Sequence, residues 1–154
     1  MNVRTLVACS AVFLITGDLR AQDASRLVGT WERIYLQQTD GVDIQPRIPV
    51  PHLIFTPDGF HSFTSIPAAR DGAKKPLQTM SKEELIARFD GLAAFWGTYT
   101  VTGNKLTRRA TVHSDPNLEG HDYVSEFRFD GDDLILLAVD SKSEARFRHA
   151  NKQP

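Results

Sequence analysis

Leu27-Val28-Gly29-Thr30-Trp31, continued by residues 32–38, opens the first strand of this chain and is the stretch everything after it must close around. A tryptophan in a first strand belongs in a core, and the glycine two places earlier lets the backbone pass close over its ring. Thr39-Asp40-Gly41 ends the run with turn chemistry. What gives the stretch its weight is the remaining sequence, in which one turn follows another at hairpin spacing.

Residues 42–51 carry Pro46, Pro49 and Pro51, which cannot donate to a central ladder, so they read as loop or sheet edge. Strands are expected at 52–56 and 60–65 around Pro57-Asp58-Gly59. With Asp58-Gly59 as a two-residue hairpin, Thr56 faces His61 and His52 faces Ser65. Residues 67–79 form a polar loop, after which Ser81 and Glu84 make a capping box for a short helix stopped by Gly91. Leu85, Ile86 and Phe89 form its apolar face. Strands follow at 94–102, 105–113, 121–130, 133–139 and 143–150. Eight strands in sequential hairpins, without βαβ alternation, predict an all-β, eight-stranded up-and-down antiparallel barrel with one short helix. The loop and helix are then either a lid over its mouth or a surface connection. Such a barrel fills its interior with side chains or holds one small ligand.

From Leu27 to about Ala138 the order of motifs resembles the bacterial and fungal lipocalin-like domain family that opens with L-x-G-T-W. The shared pieces are the Pro57-Asp58-Gly59 turn, the Ser81 helix start, Trp96-Gly97-Thr98-Tyr99 and Pro116-Asn117-Leu118-Glu119-Gly120. Phe127-Arg128-Phe129-Asp130-Gly131 and Leu134-Ile135-Leu136 complete the set. The resemblance implies a lipocalin-like barrel with a ligand-sized cavity. It also implies that Trp31 plugs the closed end, with Arg146 or Arg148 near its face as a cation–π partner. The chain departs from the family in its fifth strand, where Arg108 and Arg109 stand in place of a histidine.

The chain has 154 residues with a formal net charge of -1, which is one domain's length and gives no electrostatic case for nucleic acid. Residues 1–21 read as a secretory signal peptide. Arg4 supplies the positive end, residues 6–15 are an apolar run too short to span a bilayer, and Gln22 follows a plausible cut. Cys9 is the single cysteine, so a mature domain of residues 22–154 has neither disulfides nor thiol chemistry. A periplasmic or secreted location follows, with no membrane span.

Nucleophile and phosphate-loop motifs are absent. Asp132-Asp133 reads as a solvated turn. His113 and His121 flank the 115–120 loop, but a zinc site there needs Asp115, Glu119 or Asp122 to complete it. A haem ligand from His61 has no support, and neither metal nor cofactor is expected. Alternation places Trp31, Arg33 and Tyr35 on one face of the first strand, unless a bulge intervenes or the competing register buries Ile34 and Leu36. Phe55, Phe95, Tyr99, Tyr123 and Phe127 join them as candidate ligand contacts.

An inward Arg33 keeps its charge and needs an anionic partner, yet the inward faces hold no carboxylate, with Asp122 and Glu126 on the other side. The expected function is therefore binding of a small hydrophobic or amphiphilic molecule, an amphiphilic acid in particular. The alternatives are a cofactor-free isomerase, cyclase or lyase using Tyr99, Tyr123 and Arg33 for proton donation or oxyanion stabilisation, and an interaction module with a filled barrel. N-terminal sequencing of exported protein is expected to start near Gln22. A retained Met1 on protein found in the cytoplasm removes the leader.

Overall fold

The computed structural model describes residues 24–38, 43–44, 50–66 and 75–150. The leader, Pro46, Pro49 and most of the 67–79 loop lie outside the described residues. The elements are β1 (Gly29–Gln37), β2 (Asp43–Ile44), β3 (His52–Phe55), β4 (Phe60–Ser65), α1 (Lys82–Phe89), β5 (Ala93–Thr102) and β6 (Lys105–His113). They are followed by β7 (Asp122–Asp130), β8 (Asp133–Ala138) and β9 (Glu144–His149). Each strand from β3 to β9 pairs antiparallel with the next, β1 pairs with β3, and β9 returns to β1. The ring is the expected eight-stranded up-and-down barrel. β2 is an addition in the proline-bearing segment, pairing only with Leu36 and Gln37 at the end of β1.

The short turns at 56–59, 103–104 and 131–132 gather at one end of the barrel, the longer connections at the other. Trp31 closes the short-turn end at 2 % exposure, its indole N–H donating to the Leu27 carbonyl at 2.8 Å. Leu53, Phe55, Leu106, Phe127 and Leu134 pack with it. Gly29 has φ +141°, and a Cβ there would collide with the His149 imidazole, which meets Trp31 edge-on at 5.0 Å. So the glycine makes room for a ring over the plug.

The cation expected beside Trp31 is elsewhere. Arg146 pairs with Asp130 and Asp133, and Arg148 with Asp133, on the outer face. At this end a cation–π contact is made by Arg26 over Phe129, 3.8 Å from the ring centroid, with Arg26 also donating to the Gly131 carbonyl. Asp133, read from sequence as part of a solvated turn, is thus the shared acid of an ion-pair network.

The hairpin between β3 and β4 is one residue longer than expected. Phe55 faces His61 and His52 faces Thr64. Gly59 takes φ +88°, the left-handed position that completes a three-residue loop, so the ladder centres on Asp58. The two histidines remain unpaired, as the shorter loop also required. The shift turns His61 inward beside Phe55, at 2 % exposure.

In α1, Ser81 accepts from the Glu84 amide while the Glu84 carboxylate accepts from the Ser81 amide, so the capping box is present. The apolar face is not packed: Ile86 and Phe89 are exposed and no residue of the helix is buried. In this conformation α1 is a surface connection beside the mouth.

The β5–β6 register shifts between Trp96 and Gly97, which leaves Thr111 as an extra residue and brings the two backbones together. A Cβ on Gly97 would overlap the Arg109 carbonyl oxygen. Gly97→Ala is expected to cost roughly 1–3 kcal/mol or more by forcing the ladder apart. Chemical denaturation checks this, and an unchanged midpoint would show that the approach is not needed.

Candidate functional site

Above the plug the barrel encloses a cavity of about 460 Å³, within the several hundred Å³ usual for small-ligand sites. Its apolar wall is Phe63, Phe95, Leu136, Ala145 and Phe147. Arg33, Arg108, His113, Tyr123 and Ser125 bring polar groups, and Gly91, Leu92, Asp115 and Leu118 edge the opening.

Arg33 is there by alternation from Trp31, and the bulge in β1 comes only after it. It pairs with buried Phe147, whereas Tyr35 pairs with Arg146 after a register shift between them. The irregularity falls one turn of the pleat later than the register that would have exposed Arg33. Trp31 and Arg33 therefore both point inward, and Tyr35 goes to the outer face.

The eight residues expected to touch a ligand thus divide. Arg33, Phe95 and Tyr123 line the cavity. Trp31, Phe55 and Phe127 belong to the packed core below it. Tyr99 packs edge-on against Phe55 and spends its hydroxyl on the Thr56 carbonyl at 2.9 Å, at the closed end. Tyr99 and Tyr123 thus serve different ends of the barrel, so the groups named for proton transfer do not converge.

Arg108, which the sequence marks only as a departure from the family, is the main group missed. Leu106 and Ala110 on either side of it are both fully buried, and that alternation carries Arg108 inward. Its Nε is shut off from solvent and has no hydrogen-bond partner among the described residues. Burial pulls its pKa down to about 10, with Tyr123 opposing the change, so the guanidinium stays charged at neutral pH. Its guanidinium carbon lies over the Tyr123 ring, 5.9 Å from the centroid.

The Asp115 amide donates to His113 Nδ1 at 2.8 Å. A ring nitrogen that accepts carries no proton, so the imidazole bears its hydrogen on Nε2. That Nε2 lies 3.1 Å from the Tyr123 hydroxyl and donates to it. His113 therefore cannot act as a base toward Tyr123. Burial raises the Tyr123 phenol above its usual range, Arg108 pulling it back and Asp115 adding to the rise, so it remains a hydroxyl.

Asp115, the one carboxylate among the described lining residues, accepts from the backbone and side-chain amides of Asn117. Asp122 is paired with Arg109 on the outer face. Among the described residues no three metal-ligating side chains come together. His121, expected to share a rim with His113, is exposed and meets the Tyr123 ring edge-on at 4.7 Å.

Fold and cavity together define an eight-stranded barrel of the lipocalin type, an architecture suited to holding a small molecule between its strands. The chain belongs to the lipocalin-like domain family, which matches residues 28–152. Among solved structures it is similar to a lipocalin-like protein from Bacteroides uniformis ATCC 8492, with 18% identity, a TM-score of 0.50 and coverage of 80% of this chain and 98% of that one. An uncharacterized protein from Bacteroides eggerthii DSM 20697 is similar at 12% identity, with the same TM-score and coverage. At these identities the likeness concerns the fold. No curated protein shows significant sequence similarity to the chain. No helix among the described residues is long and apolar enough to cross a membrane.

His61, just below the cavity, has a pKa lowered from 6.5 to about 4, by burial first and by the Arg108 charge second, with a backbone bond to Arg109 opposing. The unfolded chain then binds the proton first, so the stability His61 contributes is complete above about pH 6.5 and is lost as pH falls toward 4. The loss amounts to roughly 3 kcal/mol at 1.36 kcal/mol per pH unit. His61→Phe should flatten that part of the stability curve between pH 6.5 and 4. An unaltered slope in urea titrations would show that His61 titrates normally.

Proposed function

We propose that this chain is an exported lipocalin-like barrel that binds a small amphiphilic acid, its apolar body among Phe63, Phe95 and Phe147 and its anionic head toward the cavity's arginines. Export rests on the leader read from residues 1–21. The observation that carries the ligand class is Arg108. A charged guanidinium is held in a largely apolar cavity with its Nε unsatisfied, and burying such a group without a partner costs several kcal/mol. An anionic ligand head offsets that cost, and the apolar wall supplies the rest of the affinity. Arg33 adds a second cation from β1, which lies four strands from β6 in either direction around the ring.

Arg108→Met tests this in two directions at once. Without ligand the variant should be more stable than the parent, because an unpaired buried charge has been removed. Its affinity for decanoate should fall by roughly 1.5–3 kcal/mol, the scale of a hydrogen bond to a charged group, with methyl decanoate unaffected. Calorimetric titration and thermal denaturation of the same samples read both. Equal binding of acid and ester by the parent protein, or undiminished decanoate binding by the variant, would sink the reading.

A further inference from the structure

Arg108 and Tyr123 are direct partners across the β6–β7 ladder, so their side chains leave adjacent strands on the same inner face, with Cβ atoms about 5 Å apart. Each holds a donor that no described residue accepts. On Arg108 it is Nε. On Tyr123 it is the hydroxyl hydrogen, because the oxygen already accepts from His113 Nε2 and the hydrogen must turn elsewhere. Tyr123 lines the cavity, so that hydrogen is available to a bound molecule.

We propose that Arg108 and Tyr123 form a two-pronged seat for the carboxylate head of the ligand, and that His113 is the positioning residue that fixes Tyr123 as a donor toward it. The proposal rests on the reading of the cavity as an acid-binding site. Phe95 holds the pair flat by stacking on His113 at 5.0 Å and on Tyr123 at 4.8 Å, with interplanar angles of 17° and 18°. The imidazole and phenol planes then differ by 20°, which suits a hydrogen bond made close to both planes. The Asp115 carboxylate, held by Asn117, does not compete for the seat.

Selectivity follows from the sense of the hydrogen bonds. A carboxylate only accepts and has two oxygens, so it can use both prongs. An alcohol has one oxygen and no charge, so it cannot take both prongs as charge-assisted bonds, and an ammonium is repelled by the guanidinium. His113 thereby determines specificity without touching the ligand head: the opposite tautomer would let Tyr123 spend its hydrogen on the imidazole and present lone pairs to the cavity instead.

Calorimetric titration of decanoate and decanol into the parent protein, Tyr123→Phe, His113→Phe and His113→Gln tests the seat. Tyr123→Phe is expected to weaken decanoate roughly ten- to hundredfold, the loss of a charge-assisted hydrogen bond, and to leave decanol unchanged. His113→Phe should show a comparable loss, and His113→Gln, which restores an N–H, should recover most of it. Nitrogen-15 NMR of the parent protein should show His113 protonated on Nε2, a readout that stands even where a variant fails to fold.

Tight decanoate binding that is indifferent to Tyr123→Phe removes the seat and keeps the acid-binding reading. A His113 protonated on Nδ1 does the same. Parent protein that binds decanoate no better than methyl decanoate overturns both.

Discussion

β1 is hydrogen-bonded on both sides, to β3 over residues 29–32 and to β9 over residues 31–37, and this double pairing is the constraint on which the molecule depends. A sheet whose last strand returns to its first has no open edge, so its backbone donors and acceptors are met within the wall. The price is that β1 must satisfy two ladders at once. It does so with the irregularity between Arg33 and Tyr35. That one extra residue decides which side chains of β1 face the interior. Ahead of it stand the plug and a cation for the cavity. After it, Tyr35 joins the outer face.

The barrel was legible in the sequence because its signals are local and redundant. Turn residues at hairpin spacing and a capping box at Ser81 each need only a few neighbouring residues. What resisted was whatever depends on one residue of slippage. The sequence offers Asp58-Gly59 as a two-residue loop, and only the left-handed φ of Gly59 in a longer loop turns His61 into the core. Likewise the Thr111 bulge brings His113 to the inner face, out of phase with Leu106, Arg108 and Ala110. The candidate site was half visible for the same reason. Phe95 and Tyr123 follow simple alternation, whereas Leu136 sits in the run Leu134-Ile135-Leu136-Leu137, where hydrophobicity has no period to read. The choice of arginine failed differently: Arg108 does alternate inward, but beside Arg109 it stood out only as a departure from the family's histidine.

The two ends of the barrel differ in the charge they leave unmet. Toward the closed end the Leu27 carbonyl takes Trp31 Nε1, the Thr56 carbonyl takes the Tyr99 hydroxyl and the Gly131 carbonyl takes Arg26, while the neutral ring nitrogens His61 Nδ1 and His149 Nδ1 have no partner among the described residues. Around the cavity, donors remain unspent at Arg108 and Tyr123. Buried polar groups of folded proteins are satisfied in the great majority of cases, and exceptions gather where a structure keeps capacity for something it binds. Stability is concentrated below the cavity and recognition is concentrated in it, although both draw on the same strands.

Short as it is, α1 carries a consequence of its own. An eight-residue helix is marginal in water unless tertiary packing supports it, and α1 buries none of its residues. Its support is the capping box and the Lys75–Glu84 pair at 2.7 Å, both exposed. Melting it would uncover little apolar surface, while parting β1 from β9 would breach the wall. Gly91 and Leu92, directly after the helix, are part of the cavity's edge. On that side the aperture can therefore be reshaped at the free-energy scale of a helix–coil transition. Amides of α1 then belong to a low-energy local opening in hydrogen exchange, and those of the wall to the global one.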